Sequence, residues 1–162
     1  RGIVAAAMKP VACGAAHTAD GLRNDDALAL MRESGVTLPY AVVNPYCFEP
    51  AVAPHIAATE AGVEIDPGNI LMSYLQVAAA APVTVVEGAG GLLSPLGEGF
   101  DSRDLIAALR AATIVVCPNR LGAVNQALLV LNALPRATAA RGCARARSAA
   151  AACRSRAPGE YR

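Results

Sequence analysis

Three short runs in this chain are almost wholly apolar: "GIVAAAM" at 2–8, "VTVV" at 83–86 and "TIVVC" at 113–117. Runs of that length with little polar alternation suit strands covered on both faces, and strands covered in that way are parallel and joined by crossover helices. The intervening text supplies the helices, each with its own start signal. "NDDALALMRES" opens on Asn24 or Asp25 as a cap and places Ala27, Leu28 and Met31 on one face. "PHIAATEAG" begins with Pro54 and stops at Gly62, while "DPGNILMSYLQVAAAA" begins with Asp66 and Pro67 and carries Ile70, Leu71, Tyr74 and Leu75 at helical spacing. Ser102 is expected to cap "SRDLIAALRA", and a further helix is expected over 122–134. Residues 9–24 read as a long loop, 87–100 as another, and "YAVVNPY" as a short extended piece stopped by Pro45. The expected fold class is α/β, a parallel sheet flanked by helices.

A chain of 162 residues is long enough for one domain with a real core. Hydrophobic residues make up 54 % and aromatics only 4 %, so that core is built from Ala, Val, Leu and Ile. The formal net charge of +1 gives no case for nucleic acid or an anionic membrane surface. Residues 67–86 carry no charge, but Pro67, Gly68, Asn69, Ser73, Gln76, Pro82 and Thr84 interrupt them and rule against a membrane span. The opening "RGIVAAAMKP" has no apolar stretch of secretory length. Five cysteines (Cys13, Cys47, Cys117, Cys143, Cys153) are an odd count without metal-site spacing, and suit free thiols in a reducing, cytoplasmic compartment. Cys47 and Cys117 read as small residues in or near the core.

From Arg136 onward the composition changes. Seven Arg face a single acid, Glu160, and Val, Ile, Leu, Met and Phe are all absent. Such a stretch cannot bury enough apolar surface to offset the entropy of ordering. Residues 1–135 are therefore read as the α/β domain and 136–162 as an Ala/Arg-rich tail, expected to be disordered or loosely helical. An anionic partner for the tail and an out-of-frame origin are the alternatives.

Ligands of parallel α/β sheets gather at the carboxyl ends of the strands. Lys9, the chain's only lysine, sits at such an end, as do Glu87 and the loop at 119–122. Glu87 opens the run "EGAGG", where a solvated strand tip and a ligand site are both open readings. Asp25 and Asp26 have an ordinary use as caps and dipole partners. Asp26 and Glu87 together suit a hard divalent cation, since Mg²⁺ takes one or two carboxylates and leaves its other positions to water and phosphate. His55 reads as a packing or capping residue, and His17 has no evident partner.

"MKPVACG", "DGLRNDDALAL", "VVNPYCFEPAVAPHIAA", "VVEGAGGLLSPL" and "NRLGAVNQALL" follow one another in the order and spacing of dethiobiotin synthetase. The chain resembles that family over roughly residues 3–135. The resemblance implies a P-loop NTPase-like α/β fold, incomplete here at both ends, and a homodimer working in biotin biosynthesis. It implies an ATP- and Mg²⁺-dependent ligase that joins CO₂ to 7,8-diaminopelargonic acid. One amine becomes a carbamate, the carbamate is phosphorylated, and the second amine closes the ring. Lys9 then steadies the carbamate and the transferring phosphoryl group. Asp26 and Glu87 are Mg²⁺ and ATP ligands, and Gly88, Ala89 and Gly90 let ATP approach the backbone. Cys13 stands where the family places a Ser or Thr against substrate. Gly122, Ala123, Val124 and Asn125 match a helix start that reaches across the dimer to the substrate carboxylate, with Arg120 nearby. The family's first strand, its Gly-rich phosphate loop with a third Mg²⁺ ligand, and its adenine-reading Asn have no counterpart in these 162 residues, so impaired activity is expected. Two alternatives stand beside this one: a non-catalytic remnant that still dimerises or binds a diamino acid, and a related P-loop amidoligase or partitioning-type ATPase.

Overall fold

The computed structural model describes residues 2–134 and the backbone of 142–146. The chain divides into two compact units, Arg1–Leu109 and Arg110–Arg162. The first unit begins with β1 (Ala5–Met8), β2 (Val11–Ala12), β3 (Ala16–Thr18) and β4 (Gly21–Arg23), followed by α1 (Asp25–Glu33) and α2 (Tyr40–Val43). It continues through β5 (Tyr46–Cys47), α3 (Pro54–Glu60), α4 (Pro67–Ala80) and β6 (Val83–Val86), then β7 (Pro95–Gly97), β8 (Phe100–Asp101) and α5 (Ser102–Leu109).

β1 and β6 pair in parallel, with Ala5 opposite Val83 and Met8 opposite Val86. β2 and β5 form a second parallel pair. Helices α1, α2 and α4 pack against β1. The small Ala6 and Ala7 side chains in that strand let the helices approach closely. Met8, Ile70 and Val77 are completely buried between these layers, each contributing about 1.5–3 kcal/mol relative to exposure. The buried residues of α4 are Ile70, Ser73 and Val77, one stripe at helical spacing. The α/β class with parallel strands and flanking helices is thus as the sequence indicates.

Several local expectations are corrected. Residues 9–24 are not all loop, because Ala16–Thr18 and Gly21–Arg23 form an antiparallel hairpin. Its turn is tied by the Thr18 hydroxyl, which donates to the Gly21 carbonyl at 2.8 Å. Pro95–Gly97 and Phe100–Asp101 form a second hairpin within 87–101. "YAVV" is one helical turn and not extended. Of the two cap candidates for α1 it is Asn24 that caps, as one of the expected residues. Ser102 does not cap α5: Asp101 accepts from the Arg103 amide at 2.7 Å, and Asp104 reaches back to the Asp101 amide at 2.9 Å, a reciprocal capping box. β6 is only half-covered, with Val83 and Val85 at 41 % and 49 % exposure.

In the second unit, β9 (Ile114–Pro118) is followed by α6 (Ala123–Ala133), which packs on it, and β10 (Gly142–Ala146) pairs with β9 in parallel. β10 lies within the tail expected to be disordered or loosely helical, and its five residues form a strand instead. The rest of 136–162 lies outside the described residues. No helix of the described residues is long and apolar enough to cross a membrane.

Candidate functional site

The β1–β6 register dictates what meets at the strand ends. Met8 and Val86 are partners, and the Glu87 amide donates to the Met8 carbonyl at 2.9 Å. Lys9 and Glu87, the next residue on each strand, therefore leave the sheet side by side. Lys9 Nζ donates to Glu87 Oε1 at 2.8 Å. The first turn of α1 brings Asp26 to the same point, with Oδ2 at 2.8 Å from Nζ. The carbonyl of Gly88 accepts a longer, weaker bond from Nζ at 3.4 Å.

Lys9 is buried to 5 % exposure, whereas the Asp26 and Glu87 side chains are 58 % and 46 % exposed. Burial by itself pulls the Lys9 pKa down. The hydrogen bonds to Asp26 and Glu87 and the charge of both acids outweigh it, so the pKa ends above the ordinary lysine value. Lys9 is accordingly a fixed ammonium at physiological pH, paired with two carboxylates and unfit to act as a base. Cys13 is held on the protonated side, chiefly by burial.

An open cleft of about 410 Å³ lies over this cluster, lined by Lys9, Cys13, Asp26, Ala89, Gly90 and Ser94, with Val52, Ala53 and Pro54 on one side. The glycine run shapes its rim. Gly90 has φ +70 and a side chain there would come within 2.9 Å of the Ser94 hydroxyl, while at Gly88 an added Cβ would meet nothing within 4 Å. The loop backbone is therefore open to a ligand.

Among the described residues, no group of three or more His, Cys, Asp or Glu side chains is arranged to hold a metal. The chemistry of the donor pair nevertheless suits a hard cation. One ammonium faces two carboxylates, which leaves one uncompensated negative charge on half-exposed oxygens.

Lys9, Cys13, Asp26, Glu87, Gly88, Ala89 and Gly90 thus share one neighbourhood. Gly122, Ala123, Val124 and Asn125 belong to the second unit, where Gly122 at φ 90 precedes α6. Arg120 is exposed. Two smaller expectations change, those for the histidines. His17 does have a partner, with Nε2 at 3.4 Å from Glu49 Oε2. His55 does not cap α3, since Ala53 precedes that helix without a side-chain cap, which leaves packing as its role, and its buried Nδ1 has no hydrogen-bond partner among the described residues. Cys47 and Cys117 are half-buried, at the margin of the core as expected. Ser94 lines the cleft and was not singled out from the sequence, although it lies inside the glycine-rich block.

Parallel strands flanked by helices, with charged and glycine-rich strand ends forming a cleft, define a nucleotide-type α/β domain of the P-loop NTPase-like kind, and the chain belongs to the AAA domain family, whose pattern it matches over residues 2–144. Within that class it is similar to proteins named ATP-dependent dethiobiotin synthetase BioD. That of Pseudomonas paraeruginosa (strain DSM 24068 / PA7) is 47 % identical over 134 residues, covering 82 % of this chain and 59 % of the relative. That of Xanthomonas axonopodis pv. citri (strain 306) is 43 % identical over 134 residues, 83 % and 60 % respectively. That of Xylella fastidiosa (strain Temecula1 / ATCC 700964) is 46 % identical over 129 residues, 80 % and 57 %. The chain thus spans about 60 % of the length of the curated relatives it matches.

Proposed function

We propose that residues 1–135 carry the carbamate and metal side of a dethiobiotin-forming, ATP-dependent ligase acting on 7,8-diaminopelargonic acid and CO₂. The observation that carries this reading is the buried Lys9 ammonium, held at 2.8 Å by both Asp26 and Glu87 beneath an open cleft. An amine of the substrate attacks CO₂ and becomes a carbamate anion. Lys9 binds that anion with the N–H now spent on the Gly88 carbonyl, its longest bond at 3.4 Å, and keeps its charge as negative charge builds on the transferring phosphoryl group. Stabilisation of this kind, by a preorganised cation, is the main lever in phosphoryl transfer. The carbamate oxygen takes the γ-phosphoryl group of ATP, releasing ADP, and the second amine then attacks the carbonyl carbon, expels phosphate and loses a proton.

Asp26 and Glu87 would hold Mg²⁺, which supplies neutralisation of the ATP phosphates when bound. Gly88, Ala89 and Gly90 offer backbone to ATP. Cys13, a protonated thiol, is a weak donor toward substrate. Gly122, Ala123, Val124 and Asn125 are assigned to the carboxylate of the substrate held by the other subunit of a homodimer, because a helix N-terminus favours an anion. Apolar residues exposed on α6, such as Val124 at 75 % and Leu129 at 62 %, support a homodimer. The net charge of +1 supports small-molecule partners over nucleic acid, and the free Cys13 and Cys47 thiols support a reducing, cytoplasmic setting.

A second reading is a chain that binds a diamino acid without turnover. Complementation of a biotin auxotroph that cannot form dethiobiotin separates the two. Growth lost on Lys9→Gln supports the ligase, whereas no growth from a folded wild-type chain favours the non-catalytic reading.

A further inference from the structure

Behind the cleft lies a hydrogen-bonded set that the reaction does not use. Asn44 is 2 % exposed and has every polar atom of its amide engaged. Its Nδ2 donates to the Lys9 carbonyl at 2.7 Å and to the Tyr46 carbonyl at 3.0 Å. Its Oδ1 accepts from the Tyr40 hydroxyl at 2.9 Å. The same hydroxyl accepts from the Asn24 amide at 2.8 Å. Asn24 in turn caps α1, its Oδ1 accepting from the Asp26 and Ala27 amides, and its Nδ2 donates to the Cys13 carbonyl at 3.3 Å. The set therefore grips the backbone of Lys9, Cys13 and Asp26, three residues that line one cleft from three different segments.

We infer that Tyr40 and Asn44 are positioning residues, whose linked side chains hold the Lys9 strand end and the Asp26 helix start in register so that the ammonium meets the carboxylate. A buried network of this kind is rigid only while every member is satisfied. Removing the Tyr40 hydroxyl breaks the link between Asn24 and Asn44, leaving Asn24 tied only to Cys13 within the set, without altering any group that touches the cleft. Burial and the Cys47 contact push the Tyr40 pKa up to about 12, so the hydroxyl keeps its proton. The inference rests on the proposed function only for its catalytic consequence.

Lys9 is the chain's only lysine, so ¹⁵N-lysine labelling gives a single side-chain ammonium signal. In the wild-type chain that signal is expected to be visible at neutral pH, because its protons are hydrogen-bonded and shielded from exchange with water. In Tyr40→Phe it is expected to shift or vanish by exchange, while near-ultraviolet circular dichroism stays that of the folded chain. Asn44→Ala is the second variant, with the same expected loss. If it fails to fold, Tyr40→Phe decides. An unchanged ammonium signal in folded Tyr40→Phe would overturn the inference. The readout involves neither ATP nor substrate. Failure of the functional reading would show separately, as a wild-type chain with the expected signal that holds no carbamate.

Discussion

Lys9 keeps its charge where only 5 % of the residue reaches solvent, and two carboxylates are what make that tolerable. Its pKa is raised above the ordinary value. A raised folded-state pKa contributes stability that is fully present below the unfolded value, about 10.4 for lysine, and is lost as pH rises through the folded value. Tyr40, pushed up to about 12 by burial and its Cys47 contact, contributes with the same sign above about pH 10. The wild-type chain is therefore expected to lose stability steeply on the alkaline side. Lys9→Met and Tyr40→Phe should each flatten that fall, and the double variant should flatten it further, as measured by urea unfolding at pH 8 to 11. Equal slopes in all four chains would argue against both assignments.

At the scale of elements, the sequence carried more of the site than of its surroundings. The apolar runs announce β1, β6 and β9 as strands, but only β1 is buried as its composition suggests, since alternate residues of β6 and β9 are exposed. The convergence of Lys9 with Glu87 needed one thing more, the parallel register, which only the paired backbones show. Asn24 was legible as a cap because capping is local. The one-turn helix at 40–43 was not. Tyr40 and Asn44 lie four apart and meet through the hydroxyl at 2.9 Å, and the gain comes from partners distant in sequence, Lys9 and Asn24. The strand at 142–146 was likewise hidden, since its support is the backbone ladder to β9 and not its own composition. Asn24→Ala tests the element directly. Loss of the cap is expected to cost about 1 kcal/mol, read from the urea midpoint, and to speed amide exchange at Asp26 and Ala27. Exchange unchanged at those two positions would show that the helix start is held by other contacts.

For the whole molecule, the proposed carbamate chemistry belongs to the first unit, which holds the ammonium, both acids and the glycine-rich rim. The central claim is that the ammonium in the first unit binds a carbamate, and amines form carbamates with CO₂ without ATP. The direct measurement adds ¹³C-bicarbonate and 7,8-diaminopelargonic acid to the folded chain without nucleotide and follows the carbamate carbon by NMR. The wild-type chain is expected to broaden and shift that resonance, and Lys9→Gln to leave it as in free solution. A resonance untouched by the wild-type chain, or altered equally by Lys9→Gln, would contradict the claim.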